Sequence, residues 1–353
     1  MNPDSAAPSD SPLKTWGIRL AKAAITFLAL YLTWRLLAGI RWSDLGGRVS
    51  SAAPAPLAIG IAVLAFRYLV WDLRFRLACL QAAERSSTIT FGFFVLMASA
   101  ALNLITPSAR LIGGLVRARY FARDLQQPFG FLYGVVLYDQ VAHQAMMTVC
   151  TWITIIAASF ALDRQGLGWA ALITLLAILA GLFWWSRRQG NGPNPLIRLL
   201  ARRAEKAEGR MQAFYSHGHE AVEVFVRLLG LPRLRGQAAV LGIGFFFANA
   251  VAQWLIFLAL RQPVNPFVVI AGVALGQSAG TLSGTPGGLG TTEAAMVASF
   301  EAMGVDPIEA AAGTLLFRGL HYAIVLVLGL PALAVFEIRG GSPRTLPLNE
   351  GTD

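Results

Sequence analysis

Long apolar stretches constrain this chain more than any other feature of its sequence. Six of them approach or exceed the roughly 20 residues that an α-helix needs to cross a hydrocarbon core; they cover residues 17–40, 54–80, 129–162, 167–185, 236–260 and 308–336. Charged residues make up only 14% of the 353 residues, whereas about a quarter of a typical soluble domain is charged. The sequence therefore predicts an all-α polytopic membrane protein with about six transmembrane helices.

The polar regions between these stretches are too short for a second soluble fold. We therefore expect a single membrane domain over residues 17–338, with cytoplasmic amphipathic helices at 187–235. Disordered tails are predicted for residues 1–16 and 339–353. The first tail contains acids and prolines without a cleavage site, so it is predicted to be cytoplasmic rather than a signal peptide. The stretch "HGHE" at 217–220 is predicted to be a solvated turn rather than a metal site.

The basic residues indicate both the partners and the orientation of the chain. The formal net charge is +10, and nearly all of it comes from arginine. In a membrane protein this charge favours anionic lipid headgroups over nucleic acid as partners, and arginine-rich loops stay on the cytoplasmic side. We therefore expect contact with membrane lipids, a location in the cytoplasmic (inner) membrane, and both termini in the cytoplasm.

Both termini can be cytoplasmic only if two apolar segments, 88–121 and 267–303, enter the membrane and return on the same side. The stretches around their breaks are similar: "ALNLITPSARLIGGLVRA" and "AGTLSGTPGGLGTTEAAM" each contain an apolar half-helix, a Thr-Pro, a turn with glycines and a second half-helix. We predict two re-entrant broken helices of opposite orientation in an inverted repeat, the first entering from the cytoplasm. This is a recurrent transporter design.

The second break has the residue types of an anion site. Pro286 can open a helix, and the glycines allow positive φ and close approach of another group. Thr291 or Thr292 is predicted to cap the half-helix that follows, whose N–H groups and dipole would then face an anion. The candidate substrate-binding residues at this break are Thr285, Gly287, Gly288, Gly290 and Thr291.

Three titratable residues in the predicted membrane segments are candidates for proton coupling. Glu293 either stabilises the half-helix and pairs with an arginine such as Arg318, or answers a cation or carries a proton. Asp139 and His143 lie four residues apart on one helical face. They either relay protons or form a hydrogen-bonded pair that fixes helix contacts.

Arginines beside the first break are candidates for contact with a lipid phosphate. Arg110 and Arg117 are included among the substrate-binding candidates, whereas Arg119 and Arg123 are expected to anchor the chain on the cytoplasmic side. Arg67, within the second predicted span, is expected to meet a neighbouring helix. The sequence contains no metal-ligand cluster, phosphate loop or ATP-binding motif, so we expect neither a metal nor a cofactor.

The sequence motifs at both breaks resemble those of a known family. "TPGGLGTTEAAM" followed by "MGVDPIEAAAGTLLFRGLHY" resembles the signature of the lysylphosphatidylglycerol synthase transmembrane region, the flippase-like family. Three signature positions are occupied by Glu293, Arg318 and Tyr322, and the resemblance adds these residues to the substrate-binding candidates. The first break is similar to the family's first motif at Gly113 and Arg117. Gly114 stands where an acid is usual, which puts a mechanism with two acids in doubt; the spacing is closer to that of the hopanoid-associated branch.

The resemblance implies a flippase or transporter that moves an anionic or glycosylated lipid between the leaflets of the membrane. It also implies a stand-alone member, because no aminoacyltransferase domain follows the last predicted span. Two alternatives stay open: an integral-membrane enzyme acting on lipid-linked substrates, and a non-transporting subunit with a lipid-modifying enzyme as its partner. Transport is favoured over catalysis because acidic residues are sparse.

Overall fold

The structure, a computed structural model, describes residues 47, 50–106, 111–161, 165–188, 195–283 and 285–339. The longer helices are α1 (Pro54–Ala83), α2 (Ile89–Ile105), α3 (Leu111–Asp124), α4 (Phe129–Ala161), α5 (Gln165–Arg188), α6 (Pro195–Lys206), α7 (Gly209–Leu229), α8 (Pro232–Ala259), α9 (Pro266–Ser283), α10 (Thr291–Ala302) and α11 (Pro307–Arg339). A short 3₁₀ turn, Pro286–Gly288, lies between α9 and α10. The described part contains no strand, so the predicted all-α polytopic fold is confirmed.

Proline and polar caps begin many of these helices. Pro54 and Pro232 lie in the first turns of α1 and α8, where the N–H that proline lacks would have no partner within the helix. Thr88 caps α2, and its hydroxyl accepts a hydrogen bond from the backbone N–H of Phe91 at 3.3 Å. Local sequence therefore determines where these helices begin.

Five of the described helices are long and apolar enough to cross a membrane: Pro54–Ala83, Phe129–Phe160, Pro232–Ala259, Pro266–Ser283 and Pro307–Ile338. Four of them match predicted spans. Helix α9 differs, because the sequence assigned it to a hairpin, whereas its length and composition alone would allow it to cross. The predicted span 167–185 falls within α5, and the predicted span 17–40, the tail 1–16 and residues 340–353 lie outside the described residues.

Helices α9 and α10 form an antiparallel hairpin. Gly272 faces Phe300, Gly276 faces Met296, and Gly280 faces Thr292. A Cβ atom at any of these glycines would overlap the side chain opposite, so glycine lets the two helices approach closely. The chain therefore reverses at the second break instead of continuing in one direction.

Helices α2 and α3 form a second antiparallel hairpin around the first break. The Ser99 hydroxyl donates to the Gly113 carbonyl at 2.8 Å, and the Gly113 N–H donates to the Asn103 side-chain oxygen at 3.0 Å. Further from the break, the rings of Phe91 and Phe121 lie 5.6 Å apart. Polar side chains near the break thus form hydrogen bonds with backbone N–H and C=O groups that the interrupted helix leaves without partners.

The long helix α11 contacts both hairpins along its length. Its first half lies against α10, where Ala310 and Phe300 share one apolar cluster. Its second half lies against α2, where Gly329 approaches the carbonyl of Met97. The tips of the hairpins meet between these contacts, with Gly287 against Leu104. The two hairpins therefore lie end to end along one helix.

Residues 195–229 form α6 and α7 rather than helices joined by a turn at "HGHE". Residues 217–220 lie inside α7, so the predicted turn was wrong. Helix α7 contacts α4 through its second half, where Ala221 and Leu228 are buried, and Gly130 and Gly134 on α4 allow this approach. Tertiary contact with α4 thus continues a helix that local composition had suggested would end.

Candidate functional site

The second break has the backbone that its glycines predict. Gly287, Gly288 and Gly290 have φ values of 56°, 71° and 82°, a region that favours glycine. The N-cap of α10 is Gly290, not Thr291 or Thr292 as predicted. Thr291 instead donates from its hydroxyl to the Ser283 hydroxyl at 2.8 Å, and this contact helps to close the turn.

Glu293 connects this break to α11. One carboxylate oxygen accepts from the Gly290 N–H at 2.8 Å, and the other accepts from Arg318 Nε at 2.6 Å and from the Tyr322 hydroxyl at 2.7 Å. Arg318 also donates to the Gly287 carbonyl at 2.8 Å. These contacts agree with the structural interpretation of Glu293, in which the acid stabilises the start of α10 and pairs with Arg318. Proton carriage by Glu293 stays a prediction.

A buried charge cluster lies beside the first break. Asp139 on α4 is fully buried and accepts from Arg74 Nε at 2.7 Å and Trp71 Nε1 at 2.8 Å. Arg117 on α3 lies 2.9 Å from the same carboxylate, and Arg74 also contacts His143 Nδ1 at 3.2 Å. Arg117 therefore ties the first hairpin to α4. Arg110 lies outside the described residues.

A cavity of about 200 Å³ lies where the hairpin tips meet. Its wall is formed by α1, α2, α4, α8, α9, α10, α11 and the turn between α9 and α10. Among the predicted site residues, those in this wall are Thr285, Gly287, Gly288, His143 and Arg318. The predicted residues that lie behind the wall or apart from it are Gly290, Thr291, Glu293, Tyr322, Arg117 and Asp139.

Arg67 and His321 also belong to the wall, and the sequence analysis had not named them as site residues. Arg67 is 4% exposed, and its guanidinium donates to Asn249 Oδ1, to the Tyr68 hydroxyl at 3.1 Å and to His321 Nδ1. The available signal was an arginine in the middle of an apolar helix, since such residues mark functional sites in membranes. The expectation that Arg67 meets neighbouring helices agrees with these contacts to α8 and α11.

The two histidines of the cavity have similar surroundings. His321 stacks on Tyr68 with ring centroids 6.2 Å apart, and His143 stacks on Trp71 with centroids 5.4 Å apart. Each Nδ1 faces an arginine. Because a guanidinium can only donate hydrogen bonds, each Nδ1 is placed to accept one from its arginine.

The electrostatics of the cavity favour an anion. Among the described residues, its wall contains two arginines and two histidines and neither aspartate nor glutamate. Amide and hydroxyl groups, including those of Asn103 and Gln277, add neutral hydrogen-bonding groups. Arg318 is paired with Glu293, so the attraction for a negative group comes mainly from Arg67, whose burial lowers the effective dielectric around its charge. The described part of the chain holds no group of three metal-ligating side chains.

Comparisons with known proteins agree with the sequence motifs at the two breaks. Residues 19–329 match the family described as "Lysylphosphatidylglycerol synthase TM region". The chain is 27% identical over 260 residues to a UPF0104 membrane protein of Methanocaldococcus jannaschii, covering 69% of this chain and 74% of that protein. It is 23% identical over 286 residues to a UPF0104 membrane protein of Methanothermobacter thermautotrophicus, covering 78% and 82%. The chain therefore belongs to the lysylphosphatidylglycerol synthase transmembrane family.

Proposed function

We propose that this protein translocates a lipid with an anionic headgroup between the leaflets of the cytoplasmic membrane. The observation that carries the proposal is the cationic cavity at the meeting point of the two hairpin tips. A headgroup would enter this cavity while its apolar chains stay in the surrounding lipid. The volume of about 200 Å³ equals about seven waters at roughly 30 Å³ each, which suits a headgroup but not a whole lipid.

The arrangement of the hairpins along α11 supports a cavity near the middle of the membrane. Helix α11 has 33 residues and is about 50 Å long at 1.5 Å per residue. If it crosses the membrane, two hairpins placed end to end along it must enter from opposite faces. Their tips would then meet at depth, where broken helices of transporters bind their substrates.

The order of elements supports an inverted repeat. A long helix, a hairpin and a second long helix occur first as α1, α2–α3 and α4, and again as α8, α9–α10 and α11. Backbone with positive φ follows the first long helix of each set, at Glu84 and Arg261, and also follows each hairpin, at Gln126 and Gly304. Two similar halves that rock against each other would open the shared cavity to one leaflet at a time.

A translocation assay tests this proposal. The full chain is reconstituted into liposomes that contain fluorescently labelled phosphatidylglycerol, and dithionite bleaches the label in the outer leaflet. We expect faster loss of the protected signal than in protein-free liposomes. Ala100→Trp, which places an indole in the cavity wall, should slow the loss at least several-fold. The control Ala213→Trp changes an exposed alanine of α7 and should not. Equal rates in wild-type and protein-free liposomes would exclude translocation of this lipid.

A further inference from the structure

We propose that Arg67 is the principal anion-binding residue of the cavity and that its ligand is a phosphoryl group. This inference deepens the proposed function, because it names the chemical class of the headgroup. The binding step itself can nevertheless be measured without any translocation.

Arg67 is a buried cation without a carboxylate partner among the described residues. Its guanidinium contacts an amide, a phenol and an imidazole, and its Nε has no hydrogen-bond partner in that part of the chain. Removing an ion from water is costly unless a counter-ion compensates. The faces of Tyr68 and Phe245, 4.8 and 5.7 Å away, attract the guanidinium but carry no negative charge to neutralise it. A bound anion would supply the missing charge.

The other buried arginines near the cavity already have acidic partners. Arg318 pairs with Glu293, and Arg74 and Arg117 share Asp139. The charge of Arg318, the other arginine of the cavity wall, is thus balanced by Glu293. Arg74 and Arg117 have one carboxylate between them, but neither lies in the wall. Arg67 is therefore the cavity residue with the strongest demand for a negative ligand.

A phosphoryl group matches both Arg67 and the cavity around it. A guanidinium presents planar donors that fit two oxygens of a phosphate at once. The same wall adds the side-chain amides of Asn103 and Gln277 and the hydroxyl of Thr285. A tetrahedral anion with several acceptor oxygens can use donors from more than one side, which a flat carboxylate does less well.

The experiment measures binding by the purified full chain in detergent micelles, as the shift of thermal unfolding followed by tryptophan fluorescence. A ligand that binds the native state raises the unfolding temperature, and the stabilisation grows with the logarithm of its concentration relative to Kd. The probes are dioleoylphosphatidic acid, dioleoylglycerol, which lacks the phosphate, and inorganic phosphate. The variants are Arg67→Met and Arg67→Lys, and the control is Arg119→Gln, a half-exposed arginine outside the cavity wall.

We expect dioleoylphosphatidic acid, but not dioleoylglycerol, to stabilise the wild type and Arg119→Gln. Arg67→Met should bind it about tenfold or more weakly, as expected for the loss of hydrogen bonds to a charged group. Arg67→Lys keeps the charge without the planar donors and should be intermediate, so the test stands even if Arg67→Met fails to fold. Equal stabilisation by the two lipids, or unchanged affinity in both Arg67 variants, would overturn the inference.

Two further comparisons distinguish a lipid headgroup from free phosphate, and this inference from the proposed function. If inorganic phosphate at millimolar concentration stabilises the protein by itself, the ligand is the free anion. If only dioleoylphosphatidic acid stabilises it, the ligand is a lipid headgroup. Both results keep Arg67 as the phosphoryl site. Binding that depends on Arg67 without translocation would remove the proposed function but leave this inference. Translocation that persists in both Arg67 variants would remove this inference but leave the proposed function.

Discussion

At the scale of single residues, the contact between Glu293 and Arg318 is predicted to stabilise the fold strongly. Both side chains are buried, at 6% and 8% exposure, so Glu293→Ala leaves a buried guanidinium without its carboxylate. Breaking such a pair costs about 3–5 kcal/mol, whereas replacing both partners by apolar groups is often close to neutral. We therefore expect the double variant Glu293→Leu/Arg318→Met to be closer in stability to the wild type than Glu293→Ala is. The measurement is the SDS fraction at which each protein unfolds in mixed micelles.

Glu301→Ala serves as the control for this prediction, because Glu301 is an exposed acid at the end of the same helix. Its effect should stay within about 0.5 kcal/mol, as for most surface substitutions. If the double variant lost as much stability as Glu293→Leu and Arg318→Met lose together when measured singly, the pair would not be a coupled unit.

The sequence could predict the pairing of Glu293 with Arg318 but not the partners of Arg74 or Arg67. The first two residues lie on consecutive helices joined by a short loop, α10 and α11, so local order brings them together. Asp139 and Arg74 are separated by 65 residues, and Arg67 and His321 by 254. Those contacts depend on how α1 meets α4 and α11, which apolar periodicity does not determine in helices that are apolar on most sides.

At the scale of elements, the glycines between α9 and α10 are predicted to hold the second hairpin closed. Gly276→Ala places a methyl group against Met296, and such overpacking costs about 1–3 kcal/mol. Gly244→Ala is the matched control, since nothing lies within 4 Å of its added Cβ and alanine favours the helix by up to about 1 kcal/mol. Thermal unfolding should therefore fall for Gly276→Ala and stay level or rise for Gly244→Ala. A fall of equal size in both variants would contradict the close approach at Gly276.

The hairpin of α9 and α10 also shows what could and could not be predicted about the elements from the sequence. The Thr-Pro and glycines of "SGTPGG" were sufficient to predict a break and positive φ there. They were not sufficient to separate α9 from a spanning helix, because its 18 residues are apolar enough to cross on their own. The stripe formed by Gly272, Gly276 and Gly280 carried the missing information, since residues at intervals of four share one helical face and glycine there indicates close contact with another helix.

At the scale of the whole molecule, the end-to-end hairpins predict which loops share a side of the membrane. Cysteines replace Arg85 and Asp124 at the open end of the first hairpin, and Pro263 and Glu301 at that of the second; all four positions are exposed. The native Cys79 and Cys150 are buried and are expected to react slowly. An impermeant maleimide should label the first pair from the cytoplasmic side and the second pair from the other side, because Arg85 and Arg123 favour the cytoplasm. If Arg85→Cys and Asp124→Cys reacted from opposite sides, α2 and α3 would cross the membrane together, and a cavity between opposed hairpin tips would lose its physical basis.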